Sequence, residues 1–200
     1  MHILDARVLD DLRNGRLLKI ELGSGGEARE GFYGVDLLPR PGVAIQADLN
    51  ESLELLPDNC VSAIFSSHCL EHVEKFLPLV RELHRILAPD GVAEVVVPHF
   101  SNPYHYSDPT HVRTFGLYTM NYFSGAAVHE IRYVPTFYSD VRFRIHEIEI
   151  RFARKLLDRI LMPYLGRLIN RSFRWQDRYE RRLCRLIPAS EIRYVFSPIK

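Results

Sequence analysis

Cysteine is scarce in this sequence. Cys60, Cys69 and Cys184 are odd in number, far apart, and form no CxxC pair. That excludes a disulfide framework and a cysteine-built zinc site, and it fits a reducing cytoplasm, the expected location. Long apolar runs are missing too. No stretch approaches the roughly 20 apolar residues that cross a bilayer. Met1-His2-Ile3-Leu4-Asp5 lacks the basic-then-apolar order of a secretion signal. Internal repeats and low-complexity tracts are absent, which leaves solenoids and disordered tails out of account. A large excess of one charge is also lacking, since the formal net charge is +1. That balance hides an asymmetry. Residues 1–150 hold 13 Lys/Arg against 21 Asp/Glu, whereas residues 151–187 hold 11 against 3. A basic block confined to one segment points to a local anionic partner and disfavours nucleic acid spread over the whole surface.

The 200 residues are enough for one domain with a sizeable core. Short apolar runs alternate with turn signals and helical periodicity. Leu17–Leu22, Phe32–Asp36, Val43–Asp48, Val61–Ser66 and Val92–Val97 read as five strands. Phe76 to Ala88 reads as a helix, because Phe76, Val80, Leu83 and Leu87 share one face, and Pro89-Asp90-Gly91 stops it with a turn. Phe143 to Phe152 and Glu191 to Phe196 complete seven strands. The pattern predicts a mostly parallel α/β sheet covered by helices on both faces, with a helical insertion before the last strand. Ligands of such sheets bind at the carboxyl ends of the strands, near the switch in strand order.

The loops at those ends carry the chemistry. Gly23-Ser24-Gly25-Gly26 follows the first strand, where glycine lets a ligand approach the backbone closely. Alone, such a loop is often only a tight turn. Acids at three successive strand ends, Glu21, Asp36 and Asp48, add weight. An acid at the second strand end suits ribose hydroxyls, and one after the third suits an adenine amino group.

Across roughly residues 17–120 these stretches resemble class I S-adenosylmethionine-dependent methyltransferases. The matching runs are Glu21-Leu22-Gly23-Ser24-Gly25-Gly26, Gly34-Val35-Asp36, Ala47-Asp48-Leu49, Ser66-Ser67-His68-Cys69-Leu70-Glu71-His72-Val73 and Leu83 to Gly91. The resemblance implies a Rossmann-like fold and S-adenosyl-L-methionine as cofactor. It implies that the loop Gly23–Gly26 holds the methionine portion and that Asp36, with Leu37, binds the ribose. It further implies that Asp48 and Leu49 frame the adenine, and that Ser67 and His68 line the side nearest the acceptor. One departure is plain. Only about five residues separate Gly26 from the next strand, so a loop, Glu27 to Glu30, replaces the usual helix. A pyrophosphate cofactor would need that helix end, which counts against a nicotinamide dehydrogenase.

His99 to Arg113 is rich in histidine, proline and tyrosine and follows the fifth strand. It resembles a Pro-His-Phe … Asp-Pro-Thr-His-x-Arg signature of methyltransferases found with bacterial polysaccharide and glycan assembly. O-methylation needs a base for the hydroxyl proton, and histidine suits that. His111 and His105 are the candidates, with Asp108 to orient whichever serves. His99, His105, Asp108 and His111 could also ligate a metal, but their spacing matches no standard zinc pattern, so no metal is expected. His72 and His84 read as packing or surface residues. Phe115, Tyr118, Tyr122 and Phe123 have helical spacing and read as core.

Between Arg151 and Ile187 the chain is two-sided. Arg167, Arg171, Arg174, Arg178, Arg181, Arg182 and Arg185 fall on one arc, and Leu168, Trp175, Tyr179, Leu183 and Leu186 on another. Pro163 and Gly166 are expected to separate a preceding helix, Ala153 to Met162. An ordinary surface helix fits this pattern, and so does one lying on an anionic membrane surface, which would suit a lipid-linked acceptor. The sequence thus predicts a single methyltransferase domain, residues 1–200, with a basic amphipathic insertion at residues 153–187. It predicts O-methylation of a glycan or other hydroxylated small molecule. RNA methylation and a non-catalytic cofactor-binding domain stand as alternatives. Ser66-Ser67-His68-Cys69 departs from the Asn/Asp-Pro-Pro-Tyr motif of base N-methylation.

Overall fold

The structure, a computed structural model, describes residues 1–124, 131–152 and 158–200, with the backbone alone for residues 158–161. Eight strands form one sheet in the order β1-β4-β3-β2-β5-β6-β8-β7. The strands are β1 (His2–Ile3), β2 (Leu18–Leu22), β3 (Tyr33–Asp36), β4 (Val43–Gln46), β5 (Val61–Ser67), β6 (Leu87–Pro98), β7 (Arg142–Arg151) and β8 (Glu191–Ile199). The pairs β2·β3, β3·β4, β2·β5 and β5·β6 are parallel. β8 runs antiparallel between β6 and β7. The strand order reverses at β2, so the switch point lies between β2 and β5, where the sequence places its cofactor loops.

The sheet has one strand more than the seven expected. His2 and Ile3 pair antiparallel with Gln46 and Ile45, a two-residue edge too short to read from periodicity. Asp5 then caps α1 (Ala6–Arg13) by accepting from the Arg7 amide. α2 (Phe76–Ile86) buries Phe76, Leu79, Val80, Leu83 and Ile86. β6 follows it at once. The turn foreseen at Pro89-Asp90-Gly91 is an irregularity inside β6, because Leu87 pairs with Val61 but the next partner of Ala63 is Val92.

Helical cover is uneven. β8 alternates strictly, with Ile192, Tyr194 and Phe196 buried and Arg193, Val195 and Ser197 partly exposed. β2 does the same, burying Leu18, Ile20 and Leu22 while Lys19 stays exposed. The buried row packs on α2 through Phe196, Phe143, Phe76 and Leu83. The opposite row is polar. Arg193 donates to Glu94 at 2.7 Å and to Glu147 at 2.7 Å, and the Arg29 guanidinium stacks over Phe65. The physical reason is the connections. Residues 23–32 and 37–42, where doubly wound sheets carry helices, are turns and loops. As expected, a loop replaces the helix between the first two long strands.

The insertion between β7 and β8 also differs in detail. Pro163 lies inside α3 (Asp158–Ile169) rather than ending a helix. The break comes after Asn170, whose side chain accepts from the Ile150 amide and donates to the Ile150 carbonyl, both at 2.8 Å. That side chain lies along β7 as another strand's backbone would. α4 (Phe173–Arg182) follows. Residues 153–157, at the start of the expected Ala153–Met162 helix, lie outside the described residues. Phe115, Tyr118 and Phe123 are buried, as core residues should be.

Candidate functional site

The glycine loop is built into the sheet end by sterics. Gly23, Gly25 and Gly26 all have positive φ, which glycine adopts at no cost. A Cβ at Gly23 would sit 2.6 Å from the Cys69 side chain, whereas at Gly25 it would meet nothing within 4 Å. The first glycine is thus closed against the end of β5, and the second faces open space. Ser24 Oγ is buried without a hydrogen-bond partner among the described residues.

The three strand-end acids are tied to these loops. Asp36 accepts from the Gly25 amide at 2.9 Å and from the Leu38 amide at 3.0 Å, one bond per carboxylate oxygen. Each oxygen keeps a further lone pair. Asp48 accepts from the Asn50 amide at 2.8 Å and from its side chain. Glu21 accepts from the Arg29 amide at 2.6 Å, so it holds the replacement loop. Leu37 is 58% exposed beside Asp36, an apolar side chain free to be covered, while Leu49 packs partly against the core. Partly solvated carboxylates, an exposed leucine and an open glycine face match what an adenosine with an amino-acid tail would need. The residues present therefore fit S-adenosylmethionine.

Ser67 ends β5, and His68 follows in the left-handed region at φ 52. The His68 ring spans two carboxylates, with Nε2 3.0 Å from Glu191 and Nδ1 3.5 Å from Glu71. Its hydrogen bond to Glu191, then the one to Glu71, raise its pKa to about 10. Glu191 is held below the usual carboxylate range by the same His68 contact. Burial pushes the Cys69 thiol up to about 12.

The histidine-rich loop returns to this point. Val112 N donates to Glu71 O at 2.9 Å, which brings residues 108–113 over a 3-10 turn at Leu70–His72. His111 Nδ1 bonds the His105 carbonyl at 2.9 Å, and the two rings stack at 4.8 Å. His111 Nε2 lies 3.7 Å from Asp108 and 3.9 Å from Glu71. His105 is 4% exposed, and burial, then the nearby His111, lower its pKa. Asp108 is held low by its bonds to the Thr110 hydroxyl and amide. The three proposed catalytic residues are thus brought together.

His99 is not with them. It is fully buried, with Nδ1 2.7 Å from Ser101 Oγ and Nε2 3.0 Å from Glu180 of α4. It fastens the insertion to the end of β6, which removes it from the set of four potential metal ligands read in the sequence. His84 bonds the Ile199 carbonyl, as a packing residue would. His72 reads differently in the structure. Its ring meets His111 edge-on at 4.7 Å, and Glu71, His72 and His111 offer ligand atoms that all lie within 4.8 Å of one another. Sequence reasoning passed over Glu71 and His72. The available signal was an acid–histidine pair directly behind a ligand-binding strand end.

A groove of mixed polar and apolar lining opens beside Glu191, the partner of His68. Glu149, Arg151, Phe152, Arg167, Asn170 and Glu191 line it, between α3 and the neighbouring ends of β7 and β8. Farther along the insertion, the expected apolar arc is divided. Tyr179 is buried, while Leu168, Trp175, Leu183 and Leu186 are exposed among the arginines. The inward face is mostly polar: Gln176 donates to the Ile148 carbonyl, and Asp177 accepts from the Tyr118 hydroxyl. No described helix is long and apolar enough to cross a membrane.

A methyltransferase-domain family profile matches residues 30–95. No curated protein sequence matches the chain. Among solved structures, a SAM-dependent methyltransferase from Archaeoglobus fulgidus is similar, with 17% identity and a TM-score of 0.57. The match covers 97% of this chain and 92% of that one. A chain from the complex of a Haloferax volcanii methyltransferase activator with a methyltransferase is similar at 12% identity and a TM-score of 0.54. That match covers 96% of this chain and 89% of the other. The shared fold agrees with the strand order: the chain has the Rossmann-like fold of class I methyltransferases, and residues 30–95 match their domain profile.

Proposed function

We propose that the chain is an S-adenosylmethionine-dependent O-methyltransferase of a glycan or another hydroxylated acceptor. The observation that carries the reading is the convergence of two half-sites through Cys69. On one side stand the Gly23–Gly26 loop, Asp36 with Leu37, and Asp48 with Leu49. On the other stand His68, His105, Asp108 and His111. S-adenosylmethionine supplies a methyl group activated for in-line attack by an oxygen. Asp36 accepts the ribose hydroxyls through the lone pairs its two amide bonds leave free. Asp48 would accept from the adenine amino group, with Leu49 beside it, and the exposed Leu37 would be covered next to the ribose.

The acceptor lies in the groove of Glu149, Arg151, Arg167, Asn170 and Glu191, whose polar side chains can bond hydroxyls while Ile150, Phe152 and Met162 offer apolar contact. His111 takes the hydroxyl proton, because its Nδ1–H is already given to a carbonyl and its Nε2 is the free base. Calorimetric titration with S-adenosylmethionine and S-adenosylhomocysteine tests the cofactor half. Wild type binds both, and failure to bind either overturns the reading. Methyl transfer from labelled cofactor to a panel of sugars, set against RNA and protein acceptors, tests the acceptor half.

The basic segment supports a peripheral role beside this chemistry. Arg171, Arg178, Arg181, Arg182 and Arg185 are exposed next to Trp175, Leu183 and Leu186. Cations interleaved with exposed apolar side chains suit an anionic lipid surface, where a lipid-linked acceptor would be presented to a cytoplasmic enzyme. Co-sedimentation with anionic vesicles at low salt is the test, and binding no stronger than to neutral vesicles would remove this part.

A further inference from the structure

We infer that Glu71, His72 and His111 form a binding site for a divalent transition-metal ion. The Glu71 side chain is 0% exposed, and neither carboxylate oxygen has a hydrogen-bond partner among the described residues. An ionised carboxylate in that position is costly unless cations stand against it; the His68 ring, 3.5 Å from Oε1, supplies one, and Oε2 is left without a partner among the described residues. The surrounding hydrogen bonds prepare two imidazoles to share that cation. A carbonyl oxygen only accepts, so His111 Nδ1 carries the proton donated to His105 O, and in the neutral ring that a metal binds Nε2 holds the lone pair. That Nε2 is 3.9 Å from Glu71 Oε1.

The His72 tautomer follows from a relay. Thr110 Oγ1 donates to Asp108 Oδ1 at 2.6 Å, so it accepts from His72 Nδ1–H at 2.9 Å. The lone pair of His72 is therefore on Nε2. Histidines whose distal nitrogen is fixed by a carbonyl or a carboxylate-backed donor are the usual form of metal ligands. The set of two imidazoles and one carboxylate suits Zn²⁺, Mn²⁺, Fe²⁺ or Co²⁺ and leaves coordination positions open. Ligand atoms around a tetrahedral ion are about 3.3 Å apart, given metal–nitrogen bonds of about 2.0 Å. The three ligand atoms lie within 4.8 Å of one another, so closing on an ion asks for shifts of up to about 1.5 Å, within reach of side-chain rotation at the exposed His72. His72 is exposed and Glu71 is buried, so the ion would sit at the mouth of the site.

The consequence for catalysis rests on the methyl-transfer reading. A bound ion would take the acceptor oxygen as a ligand and make its hydroxyl more acidic, so the proton could pass to water. His111 would then serve as ligand rather than base. The binding claim is testable without turnover. The full chain, stripped with chelator, is titrated with Co²⁺ and followed by visible absorption and calorimetry. Wild type is expected to bind a single ion. His111→Ala and His72→Ala lose at least about 100-fold in affinity, the upper range seen for disturbing even outer-sphere partners. Glu71→Gln behaves likewise, and His84→Ala binds as wild type does.

His72 is exposed, so its variant keeps the proposal testable should Glu71→Gln or His111→Ala unfold. Failure of wild type to bind Co²⁺, or equal binding by His72→Ala, overturns the site. The same samples are titrated with S-adenosylmethionine. Metal binding without cofactor binding would overturn the methyl-transfer reading alone, and the reverse would overturn the metal site alone.

Discussion

The loops after β2, β3 and β4 and the cluster after β5 lie side by side and differ in how their charges are satisfied. In the first region each of the three strand-end acids already accepts backbone amides: Asp36 from Gly25 and Leu38, Asp48 from Asn50, Glu21 from Arg29. In the second, Glu71 is buried with no hydrogen bond, and His105 Nδ1 is buried without one. The carboxylates of the first region are held by the backbone before any ligand arrives, and its one buried orphan among the described residues is Ser24 Oγ. The second is under-satisfied, and under-satisfied polar groups in a cleft are where a proton or an ion does work. On the proposed function, cofactor binding and acceptor activation would carry different physical signatures within one sheet end.

Glycine substitutions break the comparison most sharply. Gly23→Ala forces a Cβ to 2.6 Å from Cys69 at positive φ. It should destabilise the fold by about 2–4 kcal/mol in urea unfolding, through overpacking and strain together. Cys69→Gly added to it should recover the overpacking part. Gly25→Ala faces open space and should cost only about 1–2 kcal/mol of backbone strain while blocking cofactor binding in calorimetry. Equal effects of the two would show that the loop is not closed on one side and open on the other.

Asp36→Ala comes next. Losing a charged acceptor should weaken S-adenosylmethionine binding by about tenfold or more, and Asp48→Ala, whose carboxylate bonds only within its own turn, by less. Reversal of that order would move the centre of cofactor recognition to β4. Tyr118→Phe tests the second region's anchor. Its hydroxyl donates to the buried Asp177 at 2.7 Å, and removing it should cost about 1–2 kcal/mol and speed amide exchange in α4. The smallest effect belongs to the scaffold both regions share. Glu82 is held below the usual carboxylate range chiefly by Arg85, and it also caps Leu53 N in the β4–β5 connection. Its contribution is complete above the unfolded carboxylate pKa and is lost as pH falls through the lower folded value. Melting temperature against pH should therefore fall less steeply on the acid side in Glu82→Gln.

Much of the frame is legible in the sequence because its signals are local. Leu17–Leu22 and Val43–Asp48 are apolar runs closed by glycine or acid, Val61–Ser66 is one closed by serine and histidine, and each became a strand within a residue or two. The short Glu27–Glu30 loop is a matter of counting. What escaped is held by contacts between distant residues. His99 reads as a loop ligand until Glu180, far along the chain, is seen to bond it. Pro163 reads as a helix end because proline usually is one, but the actual stop is Asn170 pairing with Ile150. Glu71 and His72 escaped because burial without a partner is a property of the folded site and has no spacing.

The insertion leaves the sheet at Arg151 and rejoins it at Glu191, and these two residues are register partners in β7 and β8. Ser190 N donates to the Arg151 carbonyl at 2.8 Å, so the gate is closed by the hairpin itself. The β7–β8 register is thus set outside the insertion, and what lies between can vary as long as its anchors, Glu180 on His99, Asp177 on Tyr118 and Asn170 on Ile150, are kept. A lineage could therefore trade one acceptor-binding module for another while inheriting the cofactor frame intact, and an engineer could graft a foreign loop at the same gate.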